Sequence, residues 1–500
     1  MDNLQEFLKK NKNKKIVLCH GVFDLIHIGH IKYFEQAKKF GEILIVSVTA
    51  DKFVNKGDGR PKFSQELREK LLKSIKYIDL VIINNYPTAI NIIKKIKPHY
   101  YCKGKDYKDF SKDITNNILL EKKAVEKNKG KLVFTNSKIF SSSEIINEYF
   151  SDFTAEQKKI LLKIKDFTNS KKFISLFNAL AKKKVILIGE SIIDEYIYTN
   201  PIGKSAKEAL LVTQQINKKK FIGGALSIAN ILSAFCKKVT FISYIGSTEN
   251  QIKFIKKNLN KNIELKFFVK KNSPTISKTR YLDDYENKKL FAVYKINDEY
   301  MSLDCEKKII SSLDSLSKKN DAIIVIDYGH GLITKKIAHK INSLKIFKTL
   351  NVQFNAFNQL FQKISKYKNF NYSCFNIREL SNELKIKNEQ ELLKEIPQFI
   401  KKINCKKMSI TLGKDGSKLF NISNKNINFC PSVLNSQPLD RIGAGDSFYS
   451  ISSLLSSMNV TDEFLQFFSS YFSTYALKNN GPIQNIKFKE VIKNFIHMCK

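Results

Sequence analysis

The sequence predicts an α/β protein of two domains, each built on a parallel sheet, and three observations carry that expectation. Short β-branched and aromatic runs alternate with amphipathic helical segments twice over, the pattern of parallel sheets with crossover helices. Residues 151–183, which separate the two series, contain no Gly or Pro and are rich in Lys, Leu, Ile and Phe. Such a stretch reads as one or two connecting helices, since a disordered tether would be poor in apolar residues. Finally, 500 residues exceed one ordinary domain, and 43% apolar residues suffice for more than one core. The expected boundaries are 1–150, a helical linker at 151–183, and 184–500.

In the first domain KIVLCHGVF (15–23) reads as a buried strand, Asp24 to Ile28 as a loop, and GHIKYFEQAKKF as an amphipathic helix. EILIVSVT, DLVIIN, HYYC and KLVF follow as strands, with Ser64 placed to cap the helix ELREKLLKSI. This alternation implies a Rossmann-like sheet, whose ligands sit beyond the C-terminal strand ends, where the loop after the first strand lies. That loop holds His27-Ile28-Gly29-His30. The i, i+3 spacing puts both imidazoles on one side of a helix start, and Gly29 leaves room for a phosphate to approach its N–H groups. Two histidines satisfied at a helix end are the structural alternative.

In the second domain KVILIG (184–189) is again a strand, followed by Glu190 to Asp194. An acidic residue placed after a first strand can hold sugar hydroxyls, or simply cap a turn. Gly223-Gly224 opens the helical run LSIANILSAF, VTFISYIG is the next strand, and PTISKTR leads a strand pair. Its Lys278 and Arg280 could bind phosphate or decorate a solvated edge. AIIVIDYG ends at Asp327-Tyr328-Gly329-His330-Gly331. Asn376 and Glu379, three apart, could organise water around Mg2+, which keeps several waters. Thr411 to Gly416 is a strand and turn where a nucleotide could lie. The run Leu439 to Phe448 then turns tightly through Gly443-Ala444-Gly445 into an apolar helix. Its N–H groups and dipole make an anion site suited to phosphoryl transfer, and Asp446 could take the proton of an attacking hydroxyl. Taken alone, an ordinary glycine turn before a helix is the better reading, and it yields only to the other motifs that appear in matching order.

The net charge of +39 comes from lysines spread along the whole chain. A nucleic-acid patch would be clustered, so a polymer partner is set aside as the main function, while anionic small substrates would be drawn in. There is no run of eighteen apolar residues and no apolar leader in MDNLQEFLKKNKNKK, so no membrane span or signal peptide is expected. Eight scattered cysteines without C-x-x-C spacing fit reduced thiols in a cytoplasmic protein.

GVFDLIHIGH resembles the signature of the nucleotidyltransferase superfamily in its cytidylyltransferase-like branch. Lys56, Gly59-Arg60-Pro61, Lys103-Gly104-Lys105-Asp106-Tyr107 and Phe140 to Ile146 continue the resemblance over about residues 15–150. It implies that His27 and His30 contact nucleotide phosphates and the transition state, that Lys56 neutralises charge, and that Ser142 lies near a phosphate-binding helix. Phe23, Gly29, Lys103, Gly104 and Asp106 would complete the nucleotide site. Val22 stands where relatives often carry Cys or Thr. The HIGH box of class I aminoacyl-tRNA synthetases is the competing resemblance, but its partner loop is missing, because Lys407-Met408-Ser409 runs on into Ile410-Thr411-Leu412.

From 184 to about 490 the ordered motifs resemble the ribokinase-like carbohydrate kinases, which implies a small β lid beside the main sheet. By that resemblance Asp446 is the base and Gly443, Ala444 and Gly445 form the anion hole. Asp194, Gly223, Gly224, Lys278 and Arg280 bind the sugar, Thr411, Gly413 and Gly416 the nucleotide, and Asn376 and Glu379 place Mg2+ through water. Ser227, His330 and Arg441 depart from the residues common there (Asn, Lys and Thr), which leaves the sugar open. Together the modules resemble the bifunctional heptose kinase and adenylyltransferase fusions, with the domain order reversed. The implied activity is phosphorylation of a sugar or sugar phosphate by ATP and nucleotidyl transfer from ATP or CTP to a sugar phosphate. Expected partners are small sugars and nucleotides, with a homodimer left open. Loss of one activity, or an RNA-binding protein on recycled enzyme folds, are the alternatives.

Overall fold

The computed structural model describes residues 2–56, 59–108, 117–136, 153–249, 251–286, 288–355, 358, 362–424, 426–433, 443–478 and 486–499. The chain divides into two compact units: residues 1–153, 165–174 and 489–500, and residues 154–164 and 175–488.

The first unit holds a five-stranded parallel sheet of β1 (Ile16–Gly21), β2 (Ile43–Thr49), β3 (Leu80–Asn84), β4 (Tyr100–Lys103) and β5 (Lys131–Phe134), in the order β3-β2-β1-β4-β5. Alternate residues of β1 feed two cores. Val17 and Cys19 pack with Phe34, Val46 and Leu72 on one face; Ile16 and Leu18 pack with Ile45, Ile92 and Ile93 on the other. Period-two alternation with both faces apolar is why the strand reads as a continuous hydrophobic run, and crossover helices must cover both sides. Ser64 caps the Gln65–Lys73 helix, its hydroxyl accepting the Leu67 N–H.

The expected connection at 151–183 forms two helices, Ala155–Asn169 and Lys171–Leu180. Its parts belong to different units, and the C-terminal Phe488–Cys499 helix returns to the first: Phe495 stacks on Phe173 with ring centroids 6.2 Å apart.

The second unit carries a nine-stranded sheet. In chain order its strands are β6 (Lys184–Ile188), β9 (Lys238–Gly246), β10 (Ile263–Lys270), β13 (Ala322–Asp327), β14 (Phe347–Val352), β15 (Tyr372–Asn376), β16 (Lys407–Thr411), β17 (Ser417–Asn421) and β18 (Asn426–Cys430). Their spatial order is β10-β9-β6-β13-β14-β15-β16-β17-β18, parallel through β16 and antiparallel for the last two. Residues 185–188 of β6 and all of β13 are buried, as a central parallel strand requires.

A separate four-stranded sheet, ordered β12-β11-β7-β8, is built from β7 (Ser191–Lys204), β8 (Leu211–Gly224), β11 (Ile276–Asp283) and β12 (Lys289–Lys295). Residues 191–194, just after β6, therefore begin a long strand in this second sheet. Nor do Lys278 and Arg280 sit on a solvated edge: β11 lies between β12 and β7, and Thr275 and Ile276 at its start are fully buried. No helix among the described residues is long and apolar enough to cross a membrane, and the eight cysteines are free thiols.

Candidate active sites

In the first unit the loop after β1 delivers both histidines to the start of the Ile28–Lys38 helix. His27 is the N-cap; its Nδ1 accepts the Gly29 N–H at 3.1 Å, and His30 Nδ1 accepts the His27 N–H at 3.4 Å. The histidines thus form a reciprocal capping box with rings 4.1 Å apart. With each Nδ1 accepting, a neutral ring carries its proton on Nε2, the tautomer that donates to a phosphate oxygen. Burial, His27 and Lys56 push His30 down to about 3, so it is neutral at physiological pH. Satisfied helix ends and phosphate contact, separate alternatives in the sequence, are therefore compatible here.

The neighbouring residues divide into contacts and supports. Phe23, at φ 53°, is 8% exposed and packs edge-on against His30 at 5.6 Å. Lys103, at the end of β4, is almost fully buried: its amine lies 3.5 Å from Glu121 and donates to the His20 carbonyl at 3.2 Å. Gly104 follows it directly. Lys56 is partly exposed and acts electrostatically on His30. Ser142 and the Asp106 side chain lie outside the described residues.

The sequence reading missed Arg68. It is fully buried and donates to the carbonyls of Val22, Thr49 and Phe63, while pairing with Asp51 at 2.5 Å. Five N–H donors in a rigid fork suit it to tie the β1 loop to the end of β2. Charged residues are rarely buried without partners, but nothing local in the helix ELREKLLKSI singles it out.

In the second unit, parallel adjacency of β13, β14, β15 and β16 brings their C-terminal ends into one row. The residues there are Asp327-Tyr328, Gln353, Asn376 and Thr411. Asp446 joins that row from the Ala444–Ser456 helix, three residues past its N-cap Gly443. Gln353 Nε2 donates to Asp446 Oδ1 at 2.8 Å and the Tyr328 hydroxyl to Oδ2 at 3.3 Å. Burial pushes this carboxyl up to about 6, against those two hydrogen bonds and Lys278 and with the help of Asp194. A group so placed is ionised near neutrality yet basic enough to take a hydroxyl proton. Gly443 has φ 83°, and among the described residues a Cβ on Gly443 or Gly445 would meet nothing within 4 Å. The first-turn N–H groups of Ala444 and Gly445 have no intrahelical acceptor, as at any helix start, and so suit an anion. Arg441 lies outside the described residues.

The small sheet supplies the opposing group. Register sets Lys278 beside Asp194, and Arg280 Nη1 pairs with Asp194 Oδ1 at 2.5 Å. A Cβ on Gly223 would stand 1.8 Å from Asp194 Oδ2, so only glycine leaves that carboxylate its place. Gly224, at φ 53°, starts the Ala225–Phe235 helix. Burial lowers the Lys278 ammonium against the attraction of Asp194, Asp446 and Glu190.

Asn376 and Glu379 form a second capping box: each side chain accepts the other's N–H at 2.8 Å. Glu379 is 6% exposed, and burial followed by repulsion from Asp446 pushes it up to about 8. Three metal-ligating side chains do not come together anywhere among the described residues. A carboxylate within electrostatic reach of Asp446 nevertheless fits a water-mediated hold on Mg2+, which would favour its ionised form. Thr411 closes β16, Gly413 has φ 64°, and a Cβ on Gly416 would meet the Cys430 carbonyl at 2.1 Å. No hydrogen bond among the described residues joins this turn to Asp446.

Gln353, Tyr328 and Glu190 were not among the expected site residues. Glu190 accepts the N–H groups of Tyr328 and His330 at 3.1 Å, and burial with Asp327 pushes it up to about 7. The rule that ligands sit beyond parallel strand ends, applied to β14 as it was to β1, would have found Gln353.

Known proteins resemble both halves. Residues 182–464 match the pfkB family carbohydrate kinases and residues 18–148 the cytidylyltransferase-like family. The bifunctional protein HldE of Aliarcobacter butzleri is 42% identical over 117 residues, which cover 22% of this chain and 25% of that protein. Its counterpart from Campylobacter concisus is 39% identical over 110 residues, covering 22% and 23%. The chain thus spans about a quarter of the length of these curated relatives, and the match lies in its N-terminal part. The phosphofructokinase-2 structure from Escherichia coli is 14% identical with a TM-score of 0.49, covering 63% of this chain and 99% of that one. On the match over residues 182–464, the chain belongs to the pfkB family of carbohydrate kinases, and it carries ahead of the kinase a cytidylyltransferase-like nucleotidyltransferase domain, the reverse of the HldE order.

Proposed function

We propose that the chain is a bifunctional enzyme that phosphorylates a sugar or sugar phosphate with ATP and joins a nucleotidyl group from ATP or CTP to a sugar phosphate. The product is a nucleotide-activated, heptose-like sugar. The observation that carries this reading is Asp446, held at both oxygens in the first turn of the Ala444–Ser456 helix and shifted toward neutrality.

In the kinase reaction Asp194 holds sugar hydroxyls, and Lys278 and Arg280 balance negative charge beside them. Asp446 removes the proton as the hydroxyl attacks, and the N–H groups of Ala444 and Gly445 receive the charge on the transferring phosphoryl oxygens. Thr411, Gly413 and Gly416 border the nucleotide. Mg2+, held through water by Glu379, would neutralise phosphate charge. In the transferase reaction the Nε2–H groups of His27 and His30 donate to the nucleotide phosphates beside the Gly29 N–H. Lys56 neutralises charge, Gly104 borders the nucleotide, and Phe23 and Lys103 position this shell from behind.

The test is mass spectrometry of sugars and sugar phosphates incubated with the full chain, Mg2+ and ATP or CTP. Sugar-dependent ADP formation and sugar-phosphate-dependent pyrophosphate release are expected. A folded chain that yields neither with any sugar would sink the reading.

A further inference from the structure

One imidazole beside the kinase site is fixed on every side but one. His330 lies between Gly329 and Gly331, whose φ values of 74° and 86° turn the chain sharply after β13. Its N–H donates to Glu190 Oε1 at 3.1 Å, its carbonyl accepts the Tyr244 hydroxyl at 2.9 Å, and its Nδ1 lies 2.7 Å from Asp298 Oδ1. The ring is fully buried, yet Nε2 has no hydrogen-bond partner among the described residues. A buried polar atom left this way is costly in a folded protein and points to a partner supplied from outside.

The surroundings say which partner. Glu190 also accepts the N–H of Tyr328, whose hydroxyl touches Asp446, so the base and this imidazole hang on one turn. Lys278, in register with Asp194, is close enough to act electrostatically on both His330 and Asp446. A carboxylate accepts hydrogen bonds, so beside Asp298 Oδ1 the ring proton sits on Nδ1 and Nε2 presents a lone pair. Burial and Lys278 hold the ring neutral against the pull of Asp298. A neutral acceptor repels a phosphate and takes an O–H, while the nearby Lys278 and Arg280 serve the anionic part.

We propose that His330 Nε2 accepts a hydrogen bond from a hydroxyl of the acceptor sugar, with Asp298 as the positioning residue, and so selects which sugar the kinase takes. This rests on the kinase reading above.

The experiment uses the full chain with Mg-ATP and D-ribose, D-fructose 6-phosphate, D-mannose 6-phosphate and D-sedoheptulose 7-phosphate, followed by monodeoxy forms of the best substrate. Sites built to pair a substrate hydroxyl discriminate strongly against its absence, so one deoxy analogue should lose at least about 100-fold in kcat/KM. In His330→Leu the parent sugar should fall to the level of that analogue, mostly through KM, while the analogue stays within about threefold of its wild-type value. Asp298→Ala, at a partly exposed position, should reduce the discrimination about tenfold and covers the case in which the first variant does not fold. If parent and analogue fall equally in both variants, His330 is structural and the inference is overturned. A wild-type chain that turns over none of the four sugars overturns the kinase reading along with it.

Discussion

Replacing Gly223 by alanine should disable the kinase while leaving the nucleotidyltransferase intact. The added Cβ would stand 1.8 Å from Asp194 Oδ2, so the carboxylate must retreat by about 1.5 Å to reach ordinary contact. It has little freedom to do so. Asp194 has a short side chain, is 6% exposed, and is tied through its other oxygen to Arg280 at 2.5 Å. A displacement of about 1 Å in a positioning group costs on the order of 100-fold in rate, so kcat/KM for the sugar should fall by about that factor or more. Alanine is otherwise well tolerated in an extended strand, where it gains about 0.4–1 kcal/mol over glycine through the unfolded chain. Disturbing a mostly buried ion pair costs more than that gain, so a modest drop in Tm should accompany the loss. The assay is sugar-dependent ADP release, with pyrophosphate release on the same preparation as internal control. A Gly223→Ala chain whose kinase KM and kcat stay within about threefold of wild type would refute the placement of Asp194 in the sugar site.

Asp446→Asn keeps the shape and removes the base, so ADP formation should drop by about 10²–10⁴-fold; retention of more than about a tenth of the activity contradicts the assignment. The base works ionised and sits at about 6, so kcat should fall as pH drops through that value. The Gln353 hydrogen bond favours the carboxylate, so in Gln353→Leu the same limb should move to higher pH; an unmoved limb would detach Gln353 from the base. His27→Ala or His30→Ala should abolish pyrophosphate release, each losing about 3–4 kcal/mol of transition-state stabilisation, while sugar phosphorylation continues. Parallel loss of both activities would argue against separate sites. A fragment of residues 154–500 should melt higher than one of residues 180–500. The longer piece keeps the bond from Gln157 to the Ser432 carbonyl and, buried on the helix, Ile160, Leu161 and Ile164, each worth about 1.5–3 kcal/mol; equal melting temperatures would show that this helix adds nothing.

Local pattern carried the alternation of strands and helices, because side-chain period and burial are properties of neighbouring residues. The same holds for the glycine turn at 443–445 and for His27 with His30, since helix geometry alone places residues three apart on one side. Asn376 and Glu379 show where that legibility stops: the spacing that could serve a metal-bound water is also that of a capping box, and both side chains cap. What only the tertiary structure decided depends on which strands become neighbours. Tyr328 and Gln353 reach Asp446 across 118 and 93 residues because β13 and β14 pair in the main sheet. Asp194 meets Arg280 across 86 residues because the chain leaves that sheet after β6 and β7 pairs with β11 in the small one. Lys103 shows the converse, a cation placed in the nucleotide site by its motif but turned inward by Glu121. Strand order and register arise from packing both faces of each sheet at once, a condition on the whole chain that no window of the sequence contains.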